Sequence, residues 1–329
     1  MELRILGADD TRRALPMGET IEAMKHAFGQ LSAGTASVPP RSHIDVDDAE
    51  GVSLFMPALL ADTDDLALKV VSVFPANIKR GLPTIHALVV VLDLETGIPI
   101  ALIEGGTLTA IRTGAGSGAA TDLLARSVAR RVAILGAGVQ ARTQLEAVCT
   151  VRAIESVSIF SLDTDQSRAF ADETVAKPWA PTTVTLAETA SEAIANADVI
   201  CTATTSATPV FDSSDLKPGA HINAIGSFTP TVQEVESAVV ERSVLIVDSR
   251  EAALAETGDL IIPIQEGRIS EDHIQAELGE IVNGHHPGRT DADQITLYKS
   301  VGIAVQDAAA AGLALRRAEQ LGLGQLIEL

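Results

Sequence analysis

Cysteine, aromatic side chains and lysine are all scarce in this chain. Only Cys149 and Cys201 are present, each in an apolar segment and neither with CxxC or metal-ligand spacing. That usage argues against a disulfide framework and fits reduced, buried thiols of a cytoplasmic protein. The seven histidines form no HxxxH pair, and the doublet His285–His286 lies in the turn-rich "NGHHPGR", so a solvated loop is expected and no metal. Positive charge is short: 24 Lys and Arg stand against 44 Asp and Glu, for a net −20. No basic stripe exists to neutralise phosphates, which excludes a nucleic-acid partner. Six of those 24 cations are lysines, which makes each lysine worth explaining. Apolar runs are broken by Asp, Glu or Gly well short of a membrane span. The start, "MELRILGADD", lacks the basic and apolar regions of a secretory signal. A cytoplasmic protein away from membranes is the expectation.

What is present is enough chain for two cores, at 329 residues and 46% hydrophobic content. In "MGETIEAMKHAFGQLSAG" the positions Ile21, Met24, Ala27, Phe28 and Leu31 fall at helical spacing, and Gly34 follows as a stop. Strand-like runs come next, including "GVSLFMPALL", "LALKVVSVFP" and two strands joined by the turn "DLETG". From about residue 115 the grammar changes. "RVAILG", "SVSIF", "DVICTAT", "HINAIG" and "SVLIVDS" are apolar runs of strand length separated by helix-like stretches, the pattern of a doubly wound parallel sheet. After residue 295 a long helix is expected, made amphipathic by Gln306, Asp307, Arg316 and Arg317. The fold class is therefore α/β, a Rossmann-type doubly wound parallel sheet beside an α+β substrate or dimerisation domain. Residues 1–114 with 300–329 form the α+β part, and 115–299 the nucleotide-binding part.

Two segments match G-x-G-x-x-A, Gly114–Ala119 and Gly136–Ala141. The second directly follows the apolar strand "RVAIL" and opens a helix, so free N–H groups and the positive end of the helix dipole would face a pyrophosphate. Gly136 permits the turn, Gly138 lets backbone approach phosphate, and Ala141 lets helix pack on strand. The first segment reads as a helix start packed closely on the sheet. At the end of the second strand stand Ser161 and Asp163, where a ribose hydroxyl is usually held. Ser161 leaves room for a 2′-phosphate while Asp163 repels one, so NAD(H) and NADP(H) both stay open.

Lys69 poses the sharpest question, because "LALKVVSVFP" otherwise reads as a buried strand. Alternation places Ala67, Lys69, Val71 and Val73 on one face and Leu66, Leu68, Val70 and Phe74 on the other. Two readings are open. Lys69 is either an edge-strand lysine that snorkels to solvent, or a desolvated ammonium tuned for acid–base work. Arg41, behind two prolines, and Arg112, where the grammar changes, are candidate receptors for a small carboxylate.

Taken in order, "VPPR", "LALKVVSVFP", "RGLPTIHALVVVLDLETG", "LTAIRTGAGSGAA", "VAILGAGVQARTQLEAV", "INAIGSFTP" and "YKSVGIAVQD" resemble the ornithine cyclodeaminase/mu-crystallin family across essentially the whole chain. The resemblance implies a homodimer, with an N-terminal substrate and dimerisation domain and a Rossmann domain binding NAD(P). It implies that Arg41, Lys69 and Arg112 contact a small imino-acid or amino-acid substrate, with Lys69 catalytic. It also implies that Thr84, Arg112, Thr113, Gly136, Gly138, Val139, Gln140, Ser161, Asp163, Thr202, Ile225 and Ser300 line the cofactor. Cyclodeaminases of the family carry a proton-moving aspartate where "GSFTP" has Phe228, and "YKSVG", with Lys299 before Ser300, is similar to the reductase branch. The expected reaction is reduction of a cyclic ketimine acid, Δ1-pyrroline-2-carboxylate to L-proline or Δ1-piperideine-2-carboxylate to L-pipecolate. Ornithine cyclodeamination, alanine dehydrogenation and a non-catalytic, crystallin-like binding role are the alternatives.

Overall fold

The computed structural model describes residues 1–329 and divides into two compact units, Met1–Arg112 with Ile303–Leu329, and Thr113–Gly302. These boundaries differ by two or three residues from those expected from the sequence. No helix is long and apolar enough to cross a membrane.

The first unit is built on a sheet of β1 (Glu2–Leu6), β2 (Ala36–Ser37), β3 (Ser42–Val46), β4 (Gly51–Leu60), β5 (Asp65–Val73), β6 (Ile85–Leu92), β7 (Pro99–Glu104) and the C-terminal strand, β16 (Gln325–Glu328). Its order is β16-β1-β7-β6-β5-β4-β2, with β3 paired to β4. The run from β4 to β7 is an antiparallel meander, and β1 joins β7 in parallel. Alternation fixes its two faces. Met56, Ala58, Ala67, Lys69, Val89, Val91, Ala101 and Ile103 share a register and are buried. Onto this meander packs the C-terminal helix Ala304–Leu321, which also contacts the helix Met17–Ala33. The latter ends as the sequence predicts, with Gly34 in the left-handed region at φ 73° donating back to Gln30 and Leu31.

The second unit holds eight parallel strands: β8 (Arg131–Leu135), β9 (Ser156–Phe160), β10 (Thr183–Leu186), β11 (Val199–Thr202), β12 (His221–Ala224), β13 (Val244–Val247), β14 (Ile274–Glu277) and β15 (Thr296–Lys299). Their order is β10-β9-β8-β11-β12-β15-β13-β14. This is the doubly wound arrangement, with the first strand of the unit at the switch point between β9 and β11. Val132, Ile134, Val157, Ile159, Val199 and Cys201 form part of one apolar layer, and Ala133, Leu135, Ile200, Ile222 and Leu245 part of the opposite one. A parallel sheet must be covered on both faces, which is why these strands read as continuous apolar runs. Cys149 and Cys201 are free, and burial pushes both thiols up to about 12.

Three expectations need correction. Gly114–Ala119 does not start a helix but lies within Gly105–Leu124, because Glu104 caps the chain earlier by accepting from Gly106 and Thr107 N–H. Residues Thr296–Lys299 are a buried strand between β12 and β13, and the last helix begins only at Ala304. Finally, Gln306 and Asp307 do not belong to a solvent stripe: they are 0% and 1% exposed.

The misplaced glycine has a measurable role. Alanine at a helix interior is ordinarily favoured over glycine by about 1 kcal/mol. A Cβ on Gly114, however, would lie 2.5 Å from the Thr143 backbone oxygen, which no rotamer change can move. Overpacking of this kind costs about 1–3 kcal/mol. Gly114→Ala is therefore expected to lower stability in urea unfolding followed by circular dichroism; a variant more stable than the parent would show that this helix can shift freely.

Candidate functional site

In the first unit the structure answers the Lys69 question. Strand β5 is central, not an edge, since β4 and β6 flank it. Lys69 is 3% exposed, and its ammonium meets Asp307 Oδ2 at 2.6 Å. The other carboxylate oxygen, Oδ1, accepts from Arg112 Nε at 2.9 Å. Arg112 Nη1 donates to Gln306 Oε1, also at 2.9 Å, and that oxygen accepts a second bond from the Ile303 N–H. One buried carboxylate thus sits between two buried cations. Burial pulls the Lys69 pKa from its ordinary 10.5 down to about 8; Asp307 opposes that fall, while Arg112 and Arg41 add to it. The ammonium is therefore charged at neutral pH yet able to release a proton slightly above it.

Arg41 is half-buried in the loop between β2 and β3, and its charge reaches Lys69. Thr84 is half-buried just before β6, where its carbonyl accepts from Phe74 N–H at 2.8 Å. Arg41, Lys69 and Arg112 thus belong to one unit, and both guanidiniums act electrostatically on Lys69. Asp307 and Gln306 were missed by sequence reading. The signal was available: an aspartate in "VQDAAAAG" lies in an otherwise small and apolar stretch, which suits a buried helix face better than a wet one.

In the second unit the remaining expected residues lie at or just beyond the carboxyl ends of the strands, except Thr113, which lies in the helix Gly105–Leu124. Gly136 follows β8 at φ 109°, and a Cβ there would lie 2.4 Å from the Ala203 oxygen beyond β11. A Cβ on Gly138 would meet nothing within 4 Å, so open space adjoins the start of the helix Val139–Val151. No side chain caps that helix. Val139 is exposed, and Gln140 Oε1 is buried without a hydrogen-bond partner. Uncapped N–H groups and adjoining open space fit the pyrophosphate end of a dinucleotide. Thr113, the first residue of this unit, accepts from Gln144 Nε2 through its carbonyl at 3.4 Å.

Ser161 and Asp163 follow β9. The Asp163 carboxylate is already in use: it caps the helix Thr164–Val175, accepting from Asp165 and Gln166 N–H and from Gln166 Nε2. Those bonds, Gln166 N–H foremost, hold its pKa below the ordinary range. Thr202 ends β11 and donates to Glu234 Oε2 at 2.7 Å; Ile225 follows β12, its N–H bonded to the Thr202 carbonyl. Ser300 follows β15 and donates to Asp248 Oδ2 at 2.7 Å.

Behind this edge lies a second set of buried charges. Glu234 accepts from Thr202 and Thr204 hydroxyls and from Thr204 and Gly226 N–H, tying the ends of β11 and β12 together. Burial raises its pKa, while Thr204, Lys299 and Thr202 oppose the rise. Lys299 is fully buried, 2.8 Å from Asp259 Oδ2, and donates to the Ser227 carbonyl at 2.6 Å. Phe228, immediately beyond that carbonyl, is 56% exposed. Asp248 accepts from Ser300 Oγ and from the N–H groups of Val301 and Gly302, and burial raises its pKa. None of Glu234, Asp248 and Asp259 could be assigned from sequence, because each acts through backbone far from it in the chain.

Known proteins match this arrangement end to end. A Δ1-pyrroline-2-carboxylate reductase from Bacillus cereus is 42% identical over 325 residues, spanning 98% of this chain and 99% of its own. The structure of Thermococcus litoralis Δ1-pyrroline-2-carboxylate reductase in complex with NADH and L-proline superposes with a TM-score of 0.93 at 43% identity, covering 98% and 99% of the two chains. An archaeal alanine dehydrogenase dimer with bound NAD gives a TM-score of 0.92 at 30% identity, with both chains fully covered. The family description that matches residues 1–321 is the same one the sequence motifs resemble, and this chain is a member of the ornithine cyclodeaminase/mu-crystallin family.

Proposed function

We propose that this protein reduces a cyclic ketimine acid, Δ1-pyrroline-2-carboxylate, to L-proline at the expense of NAD(P)H. The observation that carries the reading is the buried Lys69–Asp307–Arg112 cluster, with Arg41 acting on it, in a chain similar throughout to Δ1-pyrroline-2-carboxylate reductases. Two cations share one carboxylate and the Arg41 charge reaches Lys69, an excess of positive charge that suits a substrate carrying a carboxylate of its own. Arg41 and the free donors of Arg112 would bind that carboxylate and so fix the ring. The dinucleotide, when bound, supplies the hydride that adds to the imine carbon. Lys69 supplies the proton at the ring nitrogen as the C=N bond becomes a C–N single bond, so one hydride and one proton balance the reaction. An ammonium with a pKa of about 8 is near the operating pH, where a general acid works best.

In this reading the second unit carries the dinucleotide on Gly136, Gly138, Val139 and Gln140, with Thr202, Ile225 and Ser300 farther along the same sheet edge. Thr113 and Ser161, in the same unit, complete the cofactor contacts, whereas the Asp163 carboxylate is spent on its own helix. Phe228 supports reduction over cyclodeamination, because a phenyl ring moves no proton.

The first unit would also form the homodimer. The face of its meander opposite Lys69 is apolar yet only half-covered: Phe55, Pro57, Leu68, Val70, Leu88 and Val90 lie across neighbouring strands, and Leu88 is 48% exposed. A contiguous apolar face of this kind marks an association surface, and a second copy of the chain would cover it.

Purified protein is expected to oxidise NADH or NADPH with Δ1-pyrroline-2-carboxylate, more slowly or not at all with pyruvate plus ammonia, and to release little ammonia from ornithine. Parallel assays with Δ1-piperideine-2-carboxylate read ring size. Proline formation from ornithine without added reductant would overturn the assignment.

Gly136→Ala places a Cβ at positive φ against the Ala203 oxygen. Strain of about 1–3 kcal/mol is expected there, enough to weaken dinucleotide binding by roughly fivefold to a hundredfold in calorimetric titration. Unchanged affinity would remove this loop from the cofactor site.

Leu68→Asp puts a charge in the middle of the uncovered sheet face. Light scattering is expected to report a dimer for the parent and a monomer for the variant. A dimeric variant would place the interface elsewhere.

A further inference from the structure

The proposed chemistry uses Lys69 and Arg112 but leaves unexplained why a carboxylate is buried between them. Asp307 touches neither solvent nor, in the proposed reaction, the substrate carboxylate, which it would repel. It is 1% exposed, lies in the first turn of the C-terminal helix, and spends one oxygen on each cation, 2.6 Å from Lys69 Nζ and 2.9 Å from Arg112 Nε.

We propose that Asp307 is a positioning residue for the reduction, one anchor that fixes the Lys69 ammonium and the Arg112 guanidinium relative to each other and keeps the first charged beside the second. The inference rests on the reading of Lys69 as proton donor.

Three arguments carry it. The first is geometric. The two cations arise from different elements, Lys69 from β5 and Arg112 from the helix Gly105–Leu124, and Asp307 comes from a third. A carboxylate shared by both sets their spacing more tightly than either backbone does. The second is donor accounting. Arg112 gives Nε to Asp307 and one Nη1 hydrogen to Gln306. Three of the five guanidinium hydrogens remain for a substrate, and Lys69 keeps two of three. The anchor orients both groups without consuming them. The third is electrostatic. The charged groups that face Lys69 are Asp307 on the C-terminal helix, Arg112 on Gly105–Leu124 and Arg41 in the loop before β3. Without Asp307 a buried ammonium would face two guanidiniums and no anion, and would give up its proton before substrate arrived.

The test is the titration of Lys69 itself, followed through its 13Cε resonance, which is assigned by loss of the signal in Lys69→Arg. Six lysines in the chain keep that spectrum simple. The parent midpoint is expected at about 8. Asp307→Asn should move it down by a pH unit or more, and the alkaline limb of kcat/KM should move down with it. Each unit removes about nine-tenths of the protonated form at a pH above both midpoints. KM for the imino acid should rise as well, because Arg112 loses its fixed orientation. Asp307→Glu, which keeps the charge but displaces it, should hold the midpoint within about half a unit of the parent while kcat falls.

An Asp307→Asn midpoint equal to the parent's overturns the proposal, as does a uniform loss of rate across pH with no movement of the limb. If Asp307→Asn does not fold, the parent decides alone. A midpoint near the ordinary 10.5 would mean a solvated lysine, and one below about 6 an ammonium the carboxylate does not hold; either refutes the role. The titration needs no turnover. A protein that reduces no ketimine yet shows the expected shift would therefore refute the assigned reaction and leave the anchor standing.

Discussion

A charge taken out of water has to be answered by another charge or by several hydrogen bonds, and this protein is organised by that demand. The lone carboxylate of Asp307 answers two cations in the first unit. In the second, Asp259 answers Lys299, Glu234 collects four donors, and Asp248 collects the chain from Ser300 to Gly302. Leaving any one of these groups unpaired would cost several kcal/mol, so each partner fixes the segment that carries it. Apolar packing makes the two cores; the buried carboxylates decide where loops and cations stand within them.

That division explains what the sequence revealed. Periodicity is a local signal, and it gave the helix ending at Gly34, the meander around "DLETG" and the strands that alternate from residue 131 onward. The glycine loop was legible for the same reason, since strand, turn and helix are consecutive. Strands β10, β14 and β15 were not. "TVTL" and "IQAE" are short and half polar, and "TLYK" hides a lysine whose partner, Asp259, is forty residues away. Gly114–Ala119, expected to start a helix, lies inside one because Glu104 caps the chain ten residues earlier; its small residues match the phosphate pattern but let two helices approach. Only context separates the two uses, and here the context is the Thr143 backbone.

The candidate site was half visible. Lys69 attracted notice because it breaks an apolar pattern, and Arg41 and Arg112 because guanidinium groups near a change of grammar are natural carboxylate receptors. Asp307 did not break its pattern visibly enough, lying between Gln306 and a run of alanines that any amphipathic helix could carry. Its burial depends on the meander it packs against, which is remote in sequence. Asp163 shows the converse. It stands where an acidic residue is expected to meet a ribose, yet its oxygens are bound by its own helix. Placement alone therefore does not make it a cofactor ligand.

The contrast between surface and interior has a consequence for how ligands arrive. With a net charge of −20, the molecule repels both an anionic imino acid and an anionic dinucleotide at long range. The cations that would receive the substrate are buried or, for Arg41, half-buried, so their attraction is felt mainly at short distance. Encounter is thus opposed and capture favoured, the reverse of electrostatic steering. Ions in solution shorten the reach of the outer repulsion to about 8–10 Å near physiological strength while barely touching the buried cluster. Salt in this system works as an aid to association, not a competitor for it.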